Sequence, residues 1–114
     1  ISTSKTLMNS KTTNLYPIPN GTSAIAPDQA LAVDDTAGGV QFSALHANTR
    51  YVMIDVQVAN VRVTFDGSAP TTTNGHILVA AQGLLTLSAK TAAAAKFIED
   101  TATDGLVHMS QFTD

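Results

Sequence analysis

The sequence predicts an all-β fold, an antiparallel β-sandwich or small jelly-roll-like barrel over residues 21–114, preceded by an extended N-terminal arm over residues 1–20. Three observations carry this prediction. Apolar runs of strand length recur at intervals of about ten residues, the gaps between them are filled by Gly, Asn, Asp and Thr, and a single short stretch has helical composition. With 114 residues the chain suffices for one domain with a core of its own.

The opening "ISTSKTLMNSKTTNLYPIPN" is rich in Ser, Thr, Lys and Asn, and Pro17 and Pro19 break any regular element. Extended, about 20 residues reach roughly 60 Å. Leu7, Met8, Leu15, Tyr16 and Ile18 are spaced apolar residues by which this arm would dock on a partner.

From Ala30 onward short runs alternate with turn signals: "ALAV", then "DDTAGG", "VQFSAL", "HANTR" and "YVMIDVQV". The last of these predicts a central strand, with Val52, Ile54, Val56 and Val58 on one face and Tyr51, Met53, Asp55 and Gln57 on the other. "VRVTF" follows with Val61, Val63 and Phe65 alternating against Arg62 and Thr64. The small pair Ala59-Asn60 between the two runs predicts a hairpin from Tyr51 to Phe65.

The long turn "DGSAPTTTNG" comes next. Asp66-Gly67 permits a tight reversal, Pro70 fixes φ, the threonines bond local backbone, and Gly75 allows close approach, so a rigid corner is expected. "HILVAA", the turn "QG" and "LLTLS" predict another pair of strands. "AKTAAAAKF" has high helix propensity but little length, and reads as one helical turn capping the sandwich. "KFIED" and, after the turn signal Asp104-Gly105, "LVHMSQF" complete the strands; the inward face of the last is left open by its alternation.

Composition narrows the function. Only 13% of residues are charged against a usual 25% or so, and the net charge of −3 comes without a run of like charges. No basic groove for phosphates and no polybasic segment is present, so neither nucleic acid nor a membrane is an expected partner. No run of about 18 apolar residues occurs, and the polar opening lacks the apolar segment of a signal peptide, so a soluble, unexported protein is expected. Cysteine is absent, which removes disulfides, thiolate nucleophiles and cysteine metal sites together.

No motif points to chemistry. His46, His76 and His108 are too far apart in sequence for a metal signature and read as polar surface residues. "VDDTAGG" and "FDGSAPTTTNG" only approach a calcium loop. No serine lies in G-x-S-x-G and no glycine loop fits a phosphate, so neither an enzyme nor a cofactor is expected. A sugar- or receptor-binding module would expose aromatics from its loops, whereas Tyr16, Phe42, Tyr51, Phe65, Phe97 and Phe112 fall mostly at strand positions expected to be buried.

The order "YVMIDVQVANVRVTFDGSAPTTTNGHIL", then "AKFIED" and the closing "GLVHMSQF", resembles a class of small tailed-bacteriophage virion proteins. The resemblance runs from about Arg50 to Phe112 and rests on Val61, Arg62, Asp66, Gly67, Pro70, Thr71, Gly75, Phe97, Ile98, Gly105 and Val107. It implies a structural role in the virion, assembled in the host cytoplasm, as a capsid cement or decoration protein or a neck, tail or baseplate component. Cement would act as a homotrimer on the major capsid protein, with the arm lying across a neighbour.

Overall fold

The computed structural model describes residues 24–113. Seven strands follow in chain order: β1 (Ala24–Val33), β2 (Tyr51–Gln57), β3 (Val61–Thr64), β4 (His76–Leu78), β5 (Leu85–Ser88), β6 (Lys96–Glu99) and β7 (Gly105–Phe112). One helix, α1 (Ala89–Ala94), lies between β5 and β6. The strands form two antiparallel sheets, one in the order β1-β7-β2-β5 and one in the order β4-β3-β6. The sheets pack as a small β-sandwich without closing into a barrel.

The core is what the period-2 patterns dictate. Val52, Ile54 and Val56 of β2 and Val107 and Met109 of β7 face Val61 and Val63 of β3 and Phe97 of β6, all buried in one cluster with Leu87, Ala92 and Ala95. The last strand thereby acquires an inward face: Gly105, Val107, Met109 and Gln111 are buried, and Leu106, His108 and Ser110 are not. As expected, β2 is central, flanked by β7 and β5. The alanine-rich stretch forms a six-residue helix whose N-cap Ser88 accepts from Thr91 N through its hydroxyl.

Two expectations are corrected. Residues 51–65 do not form a hairpin: β2 pairs with β5 and β7, while β3 pairs with β4 and β6. At Val58 the chain takes φ of 75°, and Ala59 N donates to Gln57 O at 2.9 Å, which makes a γ-turn. That corner carries the chain from one sheet to the other. The apolar faces of both runs can then meet across the core, which side-by-side pairing in one sheet would not allow. Val58, placed on the core face by alternation, is instead 75% exposed.

The run "VQFSAL" is likewise no full strand. Val40 makes an isolated bridge to Phe97, with N–H···O distances of 2.8 and 2.9 Å, and the following residues up to Arg50 are irregular. Side chains supply the hydrogen bonds there in place of a partner strand. Gln111, buried at the end of β7, accepts from His46 N and from the Thr49 hydroxyl, both at 2.8 Å, while Gln29 accepts from Ser43 N at 3.0 Å. Phe42 meets Phe97 edge-on with ring centroids 5.4 Å apart. This segment covers the flank of the sandwich on the β6 side.

Candidate functional site

The opposite flank, where β5 ends one sheet and β4 ends the other, is the open one. Only Tyr51 to Ile54 of β2 pair with β5. Beyond them the connection from β4 to β5 folds against the end of β2: Ala81, at φ of 62°, donates its N–H to Val56 O at 2.8 Å, and Ala80 N donates to the Asn60 side chain at 2.9 Å. Between this connection and β2 runs an apolar groove of about 190 Å³ lined by Ile54, Val56, Leu78, Val79, Leu84 and Leu85, with Asp55, Gln82 and Gly83. Ile77, Val79, Leu84 and Leu85 are 47%, 45%, 42% and 37% exposed. Large apolar residues gathered at a sheet edge, beside two positive-φ positions occupied by Val58 and Ala81, mark a surface shaped for contact.

A second concavity, of about 440 Å³, sits over the long turn after β3 and is lined by Val63, Thr64, Phe65, Asp66, Ser68, Asn74, Gly75 and His76. The turn is held from within. Asp66 Oδ1 accepts from Ser68 N at 3.0 Å and from its hydroxyl at 2.6 Å, and these bonds, the hydroxyl's first, hold the Asp66 carboxyl below the usual carboxylate range. The Thr64 hydroxyl donates to Ser68 O, Thr71 and Asn74 bridge the tip, and Pro70 is buried. Gly75, at φ of 119°, passes so close to β3 that a Cβ there would stand 3.0 Å from Val63 O. Phe65 stacks on His76 with ring centroids 5.8 Å apart, so a half-buried aromatic ring and a carboxylate share this cavity.

Acidic groups collect at the β6 end. Glu99 has its carboxyl pushed up, first by a hydrogen bond with Asp104, then by burial and by the charges of Asp104, Asp35 and Asp34. Glu99 Oε2 is shut off from solvent and receives no donor, because a carboxyl pair is bonded only when one member keeps its proton. Among the described residues no group of three His, Cys, Asp or Glu side chains is arranged to hold a metal ion.

The histidines occupy three different settings. His46 Nδ1 accepts from Asn48 N, His76 lies against Phe65, and His108 Nε2 is 3.0 Å from Asp28 Oδ2 across the β1-β7 pair. The docking residues expected in the arm, Leu7, Met8, Leu15, Tyr16 and Ile18, lie outside the described residues. Sequence reasoning missed the open flank. Its signal was present as "LVAAQGLL", a turn with large apolar residues on both sides.

Comparison with known proteins returns no matching family, no matching curated protein and no matching solved structure.

Proposed function

We propose that the chain is a bacteriophage virion structural protein, and within that class a capsid cement protein that acts as a homotrimer and bridges neighbouring major capsid subunits to stabilise the head. The observation that carries this reading is the open flank, an apolar groove between the two strands that end their sheets among the described residues, in a chain poor in charge. A protein that works by repeated contact needs a rigid, shape-complementary surface, and a small subunit gains avidity by engaging several neighbours at once. The order of motifs from Arg50 to Phe112 supports the same class, and no catalytic step is part of the reading.

Light scattering of the purified protein, followed by co-sedimentation with empty capsids of the phage that encodes it, tests the proposal. A trimer that sediments with capsids in many copies supports cement. A ring of higher order that ignores capsids moves the protein to the neck, tail or baseplate, and a monomer that binds neither sinks the virion reading.

One observation favours a second reading, a receptor- or sugar-binding module. The Phe65 ring, with Asp66, Ser68, Asn74 and His76 around it, offers an apolar face and polar groups in a cavity within the size range of small-ligand sites. Glycan-array binding that Phe65→Ala abolishes would favour it over cement.

A further inference from the structure

The groove on the open flank is too small for most small-molecule ligands, whose sites run to about 300–1,000 Å³, and at about 190 Å³ suits one or two large apolar side chains. Its walls are apolar apart from Asp55 and Gln82, and it is flanked by β4 and β5, whose outer edges pair with no other strand among the described residues. An anchor side chain carried on an extended backbone satisfies both features, because the backbone pairs with the strand edge while the side chain fills the groove. Val79, Leu84 and Leu85 keep 37–45% exposure, and no described segment fills the groove.

Charge and sequence pattern select that molecule. Residues 1–23 contain Lys5 and Lys11 and no acidic residue, so against a net charge of −3 the remainder of the chain bears −5. The N-terminal segment of one copy is therefore attracted to the body of another, with Asp55 at the groove wall, whereas two bodies meeting edge to edge repel. Within the segment, "LYPIP" has Pro17 and Pro19 two residues apart. In an added strand the N–H groups alternate in direction, so both proline nitrogens turn away from the edge while Tyr16 and Ile18 present their donors to it. The same alternation puts the Tyr16 and Ile18 side chains on one face. Five residues lie between Ile18 and Ala24 at the start of β1, and the six steps span up to about 20 Å.

We propose that the groove between β4 and β5 receives residues 15–18 of a second copy, with Tyr16 and Ile18 seated in it and the segment added as a strand to the free edge of β5. This inference rests on the reading that the protein works by contact with its neighbours. Donor and acceptor are different surfaces, so a head-to-tail contact is compatible with a closed ring such as a trimer.

The absence of cysteine makes a crosslinking test clean. Full-length Asn14→Cys or Asn20→Cys, which flank the two anchors, is mixed with full-length Gln82→Cys at the groove and mildly oxidised. Covalent heterodimers are expected at least about tenfold above a control mixture in which Ala47→Cys, exposed in the turn before β2 on the covered flank, replaces Gln82→Cys. Covalent rings are expected when both cysteines lie in one chain. Bonds confined within single chains, or yields no higher than the control, overturn the proposal. In parallel, Val79→Asp, a change at an exposed position, is expected to reduce the mass in solution to that of a monomer while the β-sheet circular dichroism of the folded chain is kept; an unchanged oligomer would count against the groove. Neither experiment contains capsids, so crosslinking without capsid co-sedimentation would refute the cement reading alone.

Discussion

Val58 shows how one residue can be set against its own preferences. A β-branched side chain at φ of 75° is held in a backbone region that costs about 1–3 kcal/mol, and 75% of it faces solvent, so packing does not repay the strain. Val58→Gly is accordingly expected to stabilise the fold by about 1 kcal/mol, the relief of strain outweighing the 0.5–1 kcal/mol or so of glycine's extra chain entropy; urea unfolding checks it, and a loss of stability would refute the strain. Glu99 is a second such residue. Its carboxyl is pushed up by Asp104 and the neighbouring aspartates, so the folded state binds the proton more tightly than the unfolded one. The resulting stability is fully present below the unfolded value of about 4.3 and is lost as pH rises through the folded value. Glu99→Gln should therefore be more stable than the native chain at pH 7, with the gap closing on acidification; equal unfolding midpoints at both pH values would contradict this. Asp28 has the opposite sign: hydrogen bonds from His108 and then Ser110 hold its carboxyl low, so its contribution is lost as pH falls.

Among the elements, the sheet β4-β3-β6 depends on a polar clamp as well as on its ladder. Arg62 in β3 donates through Nε to Asp100 Oδ1 at 2.9 Å, just beyond β6, and through Nη1 to Gly75 O at 3.2 Å, just before β4. One guanidinium thus fixes both neighbours of its own strand. Arg62→Ala leaves a half-buried carboxylate and a carbonyl without their donor and is expected to cost about 1–3 kcal/mol. Arg62→Lys should recover only part of it, since an ammonium cannot reproduce the forked geometry; full recovery in denaturant titrations would show that charge alone matters. The edge strand β1 carries a different device. Its register shifts between Ala24 and Ala26 and again between Ala26 and Gln29, around Pro27, which has no N–H to give to the ladder. The irregularity lies where a proline can be tolerated.

For the whole molecule, Phe97 links the packing of the sheets to the segment that covers the β6 flank. It is fully buried, meets Phe42 edge-on and exchanges two backbone hydrogen bonds with Val40. Phe97→Ala should destabilise by about 3–5 kcal/mol in chemical unfolding; a cost under 1 kcal/mol or so would mean that the flank repacks. Much of the architecture was legible in the chain because alternation is local: β2, the short helix after Ser88 and the internally bonded corner at Asp66 to Gly75 each follow from neighbouring residues, whereas the turn expected at Asp104-Gly105 lies earlier, at residues 100–103, and Gly105 already belongs to β7. The misread segments share one cause. Whether "YVMIDVQV" and "VRVTF" pair with each other, and whether "VQFSAL" completes a strand, depends on distant partners such as Val107, Ile98 and Gln111, whose competition for the same edges does not appear in a local pattern. The candidate site was hidden for the same reason, since its groove joins Ile54 to Leu78 and Leu84 across two sheets. The sequence by itself determined an all-β chain, poor in charge and without cysteine, because composition and the period-2 pattern reside in adjacent residues. Only the tertiary structure decided which strands share a sheet and which flank stays open, because those depend on how the apolar faces of distant segments bury one another.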